Sequence, residues 1–251
     1  MKIQLLTACA LGAASLALAA APAQATTILS FGAASSPGKV GWAMNGSGGT
    51  FQTGTSSKAA SDSIQVQLAN LLAGDTANVA STFTLSGVAP AGNAAVAAGS
   101  HLFQDGIGTA SKPGSFSIIS AKPFTYEGHL YGAGVNILSG TFDNAEIAGQ
   151  KGGFTGFAST VMASDVLFTS AIGLMVSSSP DNNDFVLDLA SISPGLKIGG
   201  VGNALQSFNA TAAGQFVSVV PEPATWATMM VGFGGLGVAM RSRRRQVAAT
   251  A

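Results

Sequence analysis

The chain has 251 residues, and only 9% are charged, against roughly 25% in an ordinary soluble domain. The formal net charge is zero, but the four arginines lie at the C-terminal end, while residues 26–220 hold six lysines, no arginine and ten acidic residues. That distribution excludes a basic nucleic-acid-binding face, and the single cysteine, Cys9, excludes disulfides, a thiol nucleophile and cysteine metal ligands from all that follows it.

The N-terminal stretch MKIQLLTACALGAASLALAAAPAQATT has the three parts of a secretory signal peptide. Lys2 is the positive start, and Leu5 to Ala20 is an uncharged apolar run. Ala23 and Ala25 are the small residues that a signal peptidase reads, so cleavage is expected after Ala25, leaving Thr26 first. Leu6-Thr7-Ala8-Cys9 has the letters of a lipoprotein box but sits too early, with most of the apolar run after it. Export through the Sec translocon and signal peptidase is therefore the expected route, with 1–25 removed.

From about 27 to 219 the pattern is alternation at a period of two. SIQVQL (63–68), STFTLS (81–86) and SFSI (115–118) alternate polar with apolar, and DFVLDLASI (184–192) and GQFVSVV (214–220) are strand-like. Alternation at this period buries one face of each strand and wets the other. Turn clusters rich in Gly, Pro, Ser and Asn separate the runs. Many short strands with such turns predict one all-β domain over 26–219, an antiparallel β-sandwich or jelly-roll-like domain. Leu68 to Leu72 is a candidate for a short helical turn, and VAPAGNAAVAAGSH (88–101) reads as a flexible loop.

Chemistry is sparse in this region. His101 and His129 stand 28 residues apart, outside any zinc-binding spacing, and there is no G-x-S-x-G elbow. No motif asks for a cofactor or a metal. The densest stretch is KPFTYEGHLYG (122–132). Read as one strand, it places Thr125, Glu127, His129 and Tyr131 on a common face, either as the solvated side of an edge strand or as a ligand face. Glu127 and His129 beside a nucleophile are what an unrecognised hydrolase site would need. PDNND (180–184), with Asp188 nearby, offers oxygens for calcium without the spacing of an EF-hand loop; a plain turn is the simpler reading. Trp42 is a core aromatic or a sugar platform.

Near the C-terminus, Gly232-x-Gly234-x-x-Gly237 has the letters of a dinucleotide fingerprint. Only 14 residues follow Gly237 and none is acidic, so the βαβ context that gives the fingerprint its meaning is absent. Ala224 to Met240 is instead an uncharged run of 17 residues, near the minimum for a membrane-spanning helix. Arg241, Arg243, Arg244 and Arg245 follow, a cluster that stays cytoplasmic and leaves the preceding domain outside. Trp226 stands where an aromatic ring prefers the interface.

Pro221-Glu222-Pro223, then Trp226-Ala227, an apolar helix and an arginine cluster together resemble the tripartite PEP-CTERM sorting signal of Gram-negative bacteria, in its PEPxxWA variant. The resemblance covers about a tenth of the chain, residues 220–245, and leaves 246–251 as a cytoplasmic tail. It implies recognition by exosortase, a multi-span membrane cysteine protease-transpeptidase, with cleavage near Pro221-Glu222-Pro223 and delivery to the cell surface or extracellular matrix. Many such proteins accompany exopolysaccharide production. The two prolines hold the motif extended and deny it ladder hydrogen bonds, which suits a protease cleft. The expected protein is therefore non-enzymatic, exported, transiently anchored in the inner membrane and then released. The alternatives are a carbohydrate-binding module using Trp42 or Tyr131, and a secreted hydrolase using Glu127 and His129.

Overall fold

A computed structural model describes residues 24–32, 38–46, 48–69, 76–90, 95–160, 166–199 and 203–220. The first strands are β1 (Gln24–Phe31), β2 (Gly38–Asn45), β3 (Gly48–Thr55), β4 (Lys58–Ala59), β5 (Asp62–Ala69) and β6 (Thr76–Ala89). Next come β7 (Val96–Ala98), β8 (His101–Ile107), β9 (Gly114–Ser120), β10 (Phe124–Tyr126), β11 (His129–Tyr131) and β12 (Asn136–Phe142). The last are β13 (Ala145–Gln150), β14 (Gly156–Thr160), β15 (Val166–Thr169), β16 (Asn183–Ser193), β17 (Ile198–Gly199), β18 (Ala204–Leu205) and β19 (Phe208–Val220). A 3-10 turn, Pro180–Asn182, leads into β16. The fold is all-β, and the strands pair antiparallel throughout the described residues. Residues Ala25–Val219 form one compact unit.

Alternation becomes burial in the expected way. In β5, Ile64, Val66 and Leu68 are buried, while Ser63 and Gln65 are exposed. The main sheet follows the order β15-β12-β9-β6-β3-β2-β19-β16-β14-β13-β8-β7. Two strand pairs bridge β6 to β19. Residues 76–83 of β6 pair with β5, which pairs with β1, and β1 pairs with β19. Residues 86–89 of β6 pair with β3, which pairs with β2, and β2 pairs with the start of β19. The long strands therefore serve two partners in succession along one edge, and the sheet folds back on itself.

The two limbs of the folded sheet meet in a core of phenylalanines. Phe116 on β9 lies 4.8 Å from Phe216 on β19, ring centre to ring centre, and 5.9 Å from Phe185 on β16. Phe142 on β12 lies 5.0 Å from Phe185, and Phe168 on β15 lies 6.1 Å from Phe216. Each fully buried ring contributes about 1.5–3 kcal/mol by leaving water. Glycine makes room for this packing at two places. A Cβ on Gly114 would collide with the Phe142 ring, and one on Gly214 with the Phe31 ring.

Two local expectations are corrected. The stretch 88–101 is not simply a loop: Val88 and Ala89 finish β6, and Val96–Ala98 form β7 at the sheet's edge, paired with β8 across a turn at Gly99. Alanine has little strand preference of its own, so the neighbouring strand supplies the order. In the candidate helical turn, Leu68 and Ala69 instead end β5, and 70–75 fall outside the described residues.

Candidate functional site

The stretch 122–132 is a hairpin, not a single strand. Phe124 pairs with Tyr131, Thr125 with Leu130, and Tyr126 with His129. Glu127 and Gly128, at φ 48° and 79°, form the two-residue turn, since positive φ at both positions matches the twist of the flanking strands. Glu127 therefore leaves the face expected to hold it, and Thr125 pairs with Leu130 on the side opposite His129 and Tyr131. The inward side is anchored. Tyr126 is buried and donates its hydroxyl to the Ala69 carbonyl at 3.0 Å, and burial, with Glu127 beside it, pushes its pKa up to about 12. Tyr131 stacks on Phe124 at 5.3 Å and 22°, half-buried, and donates to the Ile172 carbonyl at 3.3 Å. Glu127 and His129 are exposed at the tip beside Leu130.

Trp42 is fully buried and donates its indole N–H to the Leu205 carbonyl at 2.8 Å, so it is a core residue and no sugar platform. The oxygens of 180–184 do not converge either. Asn183 turns inward, while Asp184 accepts from the Thr160 hydroxyl and Asp188 lies exposed further along β16. Burial raises the pKa of Asp184 above the ordinary Asp range, and the bond from Thr160 opposes that shift. Among the described residues no group of three or more His, Cys, Asp or Glu is placed to hold a metal ion.

Asn183 has a role that the sequence did not show. It is buried and accepts from the Ser218 hydroxyl at 2.7 Å. Its amide donates to the carbonyls of Ser177 at 3.0 Å and Val166 at 3.1 Å. Ser218 in turn accepts from the Ser177 N–H at 2.8 Å. This network ties the end of β19 to the start of β16 and to β15. Pro221 comes three residues after Ser218, so at most about 10 Å of chain separates the pinned strand from the motif.

A second unanticipated feature lies on the outer face of β8, β13, β14 and β16. Phe103 pairs with Ala148, Ala148 with Phe157, and Phe157 with Asp188, one row across four neighbouring strands. The two rings are 36% and 39% exposed, yet the Ala148 between them is 1% exposed and stands apart from the central core cluster. It is small and stands between two large neighbours in the row. The available sequence signal was a phenylalanine in the exposed phase of alternation in HLFQD and GFAST.

Of the processing residues, Ala25 and Thr26 lie in β1, while Ala23 lies outside the described residues. Pro221, Glu222, Pro223, Trp226, Ala227, the segment 224–240, the four arginines and 246–251 also lie outside them. Among the described residues no helix is long and apolar enough to cross a membrane.

Comparison with protein families finds the PEP-CTERM protein-sorting motif at residues 219–245. The chain thus carries the sorting signal of an exported protein that is processed by exosortase at the membrane. No curated protein and no solved structure matches the chain.

Proposed function

We propose that this is a non-enzymatic surface or extracellular-matrix protein whose strand-rich body is the cargo and whose C-terminal segment is a temporary membrane address. The supporting observation is the sorting motif at 219–245, which begins on the last two residues of β19. In this reading the signal peptide is removed after Ala25. Ala224 to Met240 holds the chain in the inner membrane, with Arg241 and Arg243 to Arg245 on the cytoplasmic side. Exosortase then cuts near Pro221-Glu222-Pro223, and the body joins the exopolysaccharide-rich surroundings of the cell. Glu222 is the lone charge of the motif and pairs with a basic group of the enzyme. Glu127, His129 and Tyr131 belong to a structural hairpin rather than to a catalytic centre.

The test is Glu222→Ala, expressed in the producing cells and followed by fractionation and mass. The variant is expected to accumulate uncut in the membrane fraction. Release of the variant in the same processed form as the unaltered chain would remove the reading.

A further inference from the structure

The row Phe103–Ala148–Phe157–Asp188 lies outside the sorting motif, and its chemistry points outward. Leu102, Ile147 and Ala158 fill the inner phase of the same strands, so the rings of Phe103 and Phe157 belong to the opposite, solvent side. Two strand spacings put the rings about 10 Å apart. His101, stacked on Phe103 at 6.4 Å and 30°, extends the platform along β8. Gln150, the pairing partner of His101, lies at the same end.

We propose that this face binds a neutral polysaccharide, with Phe103 and Phe157 stacking on sugar rings on either side of the covered Ala148. Three observations choose this occupant. Flat aromatic faces present C–H-rich sugar rings with a matching apolar surface, and their separation spans two sugar units of an extended chain. Hydrogen-bonding groups stand beside the rings: Glu146 lies two residues from Ala148, and Asp188 lies directly across from Phe157. None of the four strands contains a lysine or arginine, and Glu146 and Asp188 stand beside the rings, so the strands carry nothing to attract an anionic polymer or a nucleic acid. The apolar area is also too small for a partner of this chain's own kind. Two rings already more than half covered expose far less than the roughly 800 Å² per side that a stable protein interface buries.

The test is affinity electrophoresis of the exported chain, purified in mild detergent, through native gels containing hydroxyethylcellulose, laminarin, galactomannan or alginate. At least one neutral glycan is expected to retard the protein and alginate is not. The double variant Phe103→Ala/Phe157→Ala is expected to lose the retardation, and Phe103→Tyr to keep it. Leu130→Ala, at the exposed hairpin tip, is expected to migrate as the unaltered chain does. Phe157→Leu keeps the apolar bulk and an unchanged thermal transition, so loss of retardation in it reports stacking rather than unfolding. The proposal is overturned if no neutral glycan retards the unaltered chain, or if the double variant is retarded equally. It is also overturned if sedimentation shows a self-association that the double variant abolishes, which would assign the face to a second copy. Glu222→Ala leaves this face unaltered, so the binding and sorting claims fail separately.

Discussion

The strand body and the C-terminal segment specify their roles in opposite ways. In the body the information is spread thinly: forty or so small choices of apolar or polar residue each bury or expose one position, and Phe216 matters because four other rings touch it. In the segment the information is concentrated in Pro221, Glu222, Pro223, Trp226 and Ala227 and in the arginines that follow. A packed core tolerates changes of letter that keep volume and pattern, whereas a linear signal read by another protein does not. Damage to one region should therefore leave the other's property standing, and the two meet at Ser218, three residues before Pro221.

The largest expected effect within the body is Phe216→Ala. Removing a ring at the centre of the cluster should cost about 3–5 kcal/mol, a large share of a domain's total stability. The measurement is the denaturant midpoint, and a shift no larger than that of an exposed-ring variant such as Phe154→Ala would break the contrast between core and surface. Molecules of Phe216→Ala that survive export should still be cut, because the motif is unaltered.

Asn183→Ala comes next, at roughly 2–3 kcal/mol, since it strands the buried Ser218 hydroxyl and the Val166 and Ser177 carbonyls. It sharpens the comparison because it acts where body and signal adjoin. Hydrogen exchange at the end of β19 should rise well above that at its start, and uniform protection along the strand would contradict the anchoring role.

The smallest effect is Asp184→Asn. The folded state holds the Asp184 proton more tightly than the unfolded chain does. Its contribution is fully present below the ordinary Asp pKa and is lost as pH rises through the higher folded value. At neutral pH the half-buried carboxylate therefore weighs on the fold, and the amide, which still accepts from Thr160, should raise the melting temperature there. The gain should fade as the pH falls below the ordinary Asp range; a gain that is constant with pH would show that charge is not the cause.

Much of this was legible in the residues alone. Ser63 to Leu68 and Ser81 to Ser86 announced strands because alternation is a local property, and both form them. The sorting signal was legible because it is linear. The hairpin at Glu127 was not, because Glu-Gly lacks the Asn or Asp that usually precedes glycine in such a turn, and the missed reversal moved Glu127 off its predicted face. Asn183 looked like a turn residue in PDNND because its partners Ser218 and Val166 are 35 and 17 residues away. The row of Phe103, Ala148 and Phe157 depends on strand order, which brings together residues that no local pattern connects.

The most direct test is the intact mass of the protein released by the producing cells, with sequencing of both ends. The expected result is a chain that begins at Thr26 and ends at or beside Pro221-Glu222-Pro223, with no peptide from Ala224 to Arg245. A released protein that still carried Arg241 and Arg243 to Arg245 would contradict it, because the segment would then be a permanent part of the molecule and not an address removed on delivery.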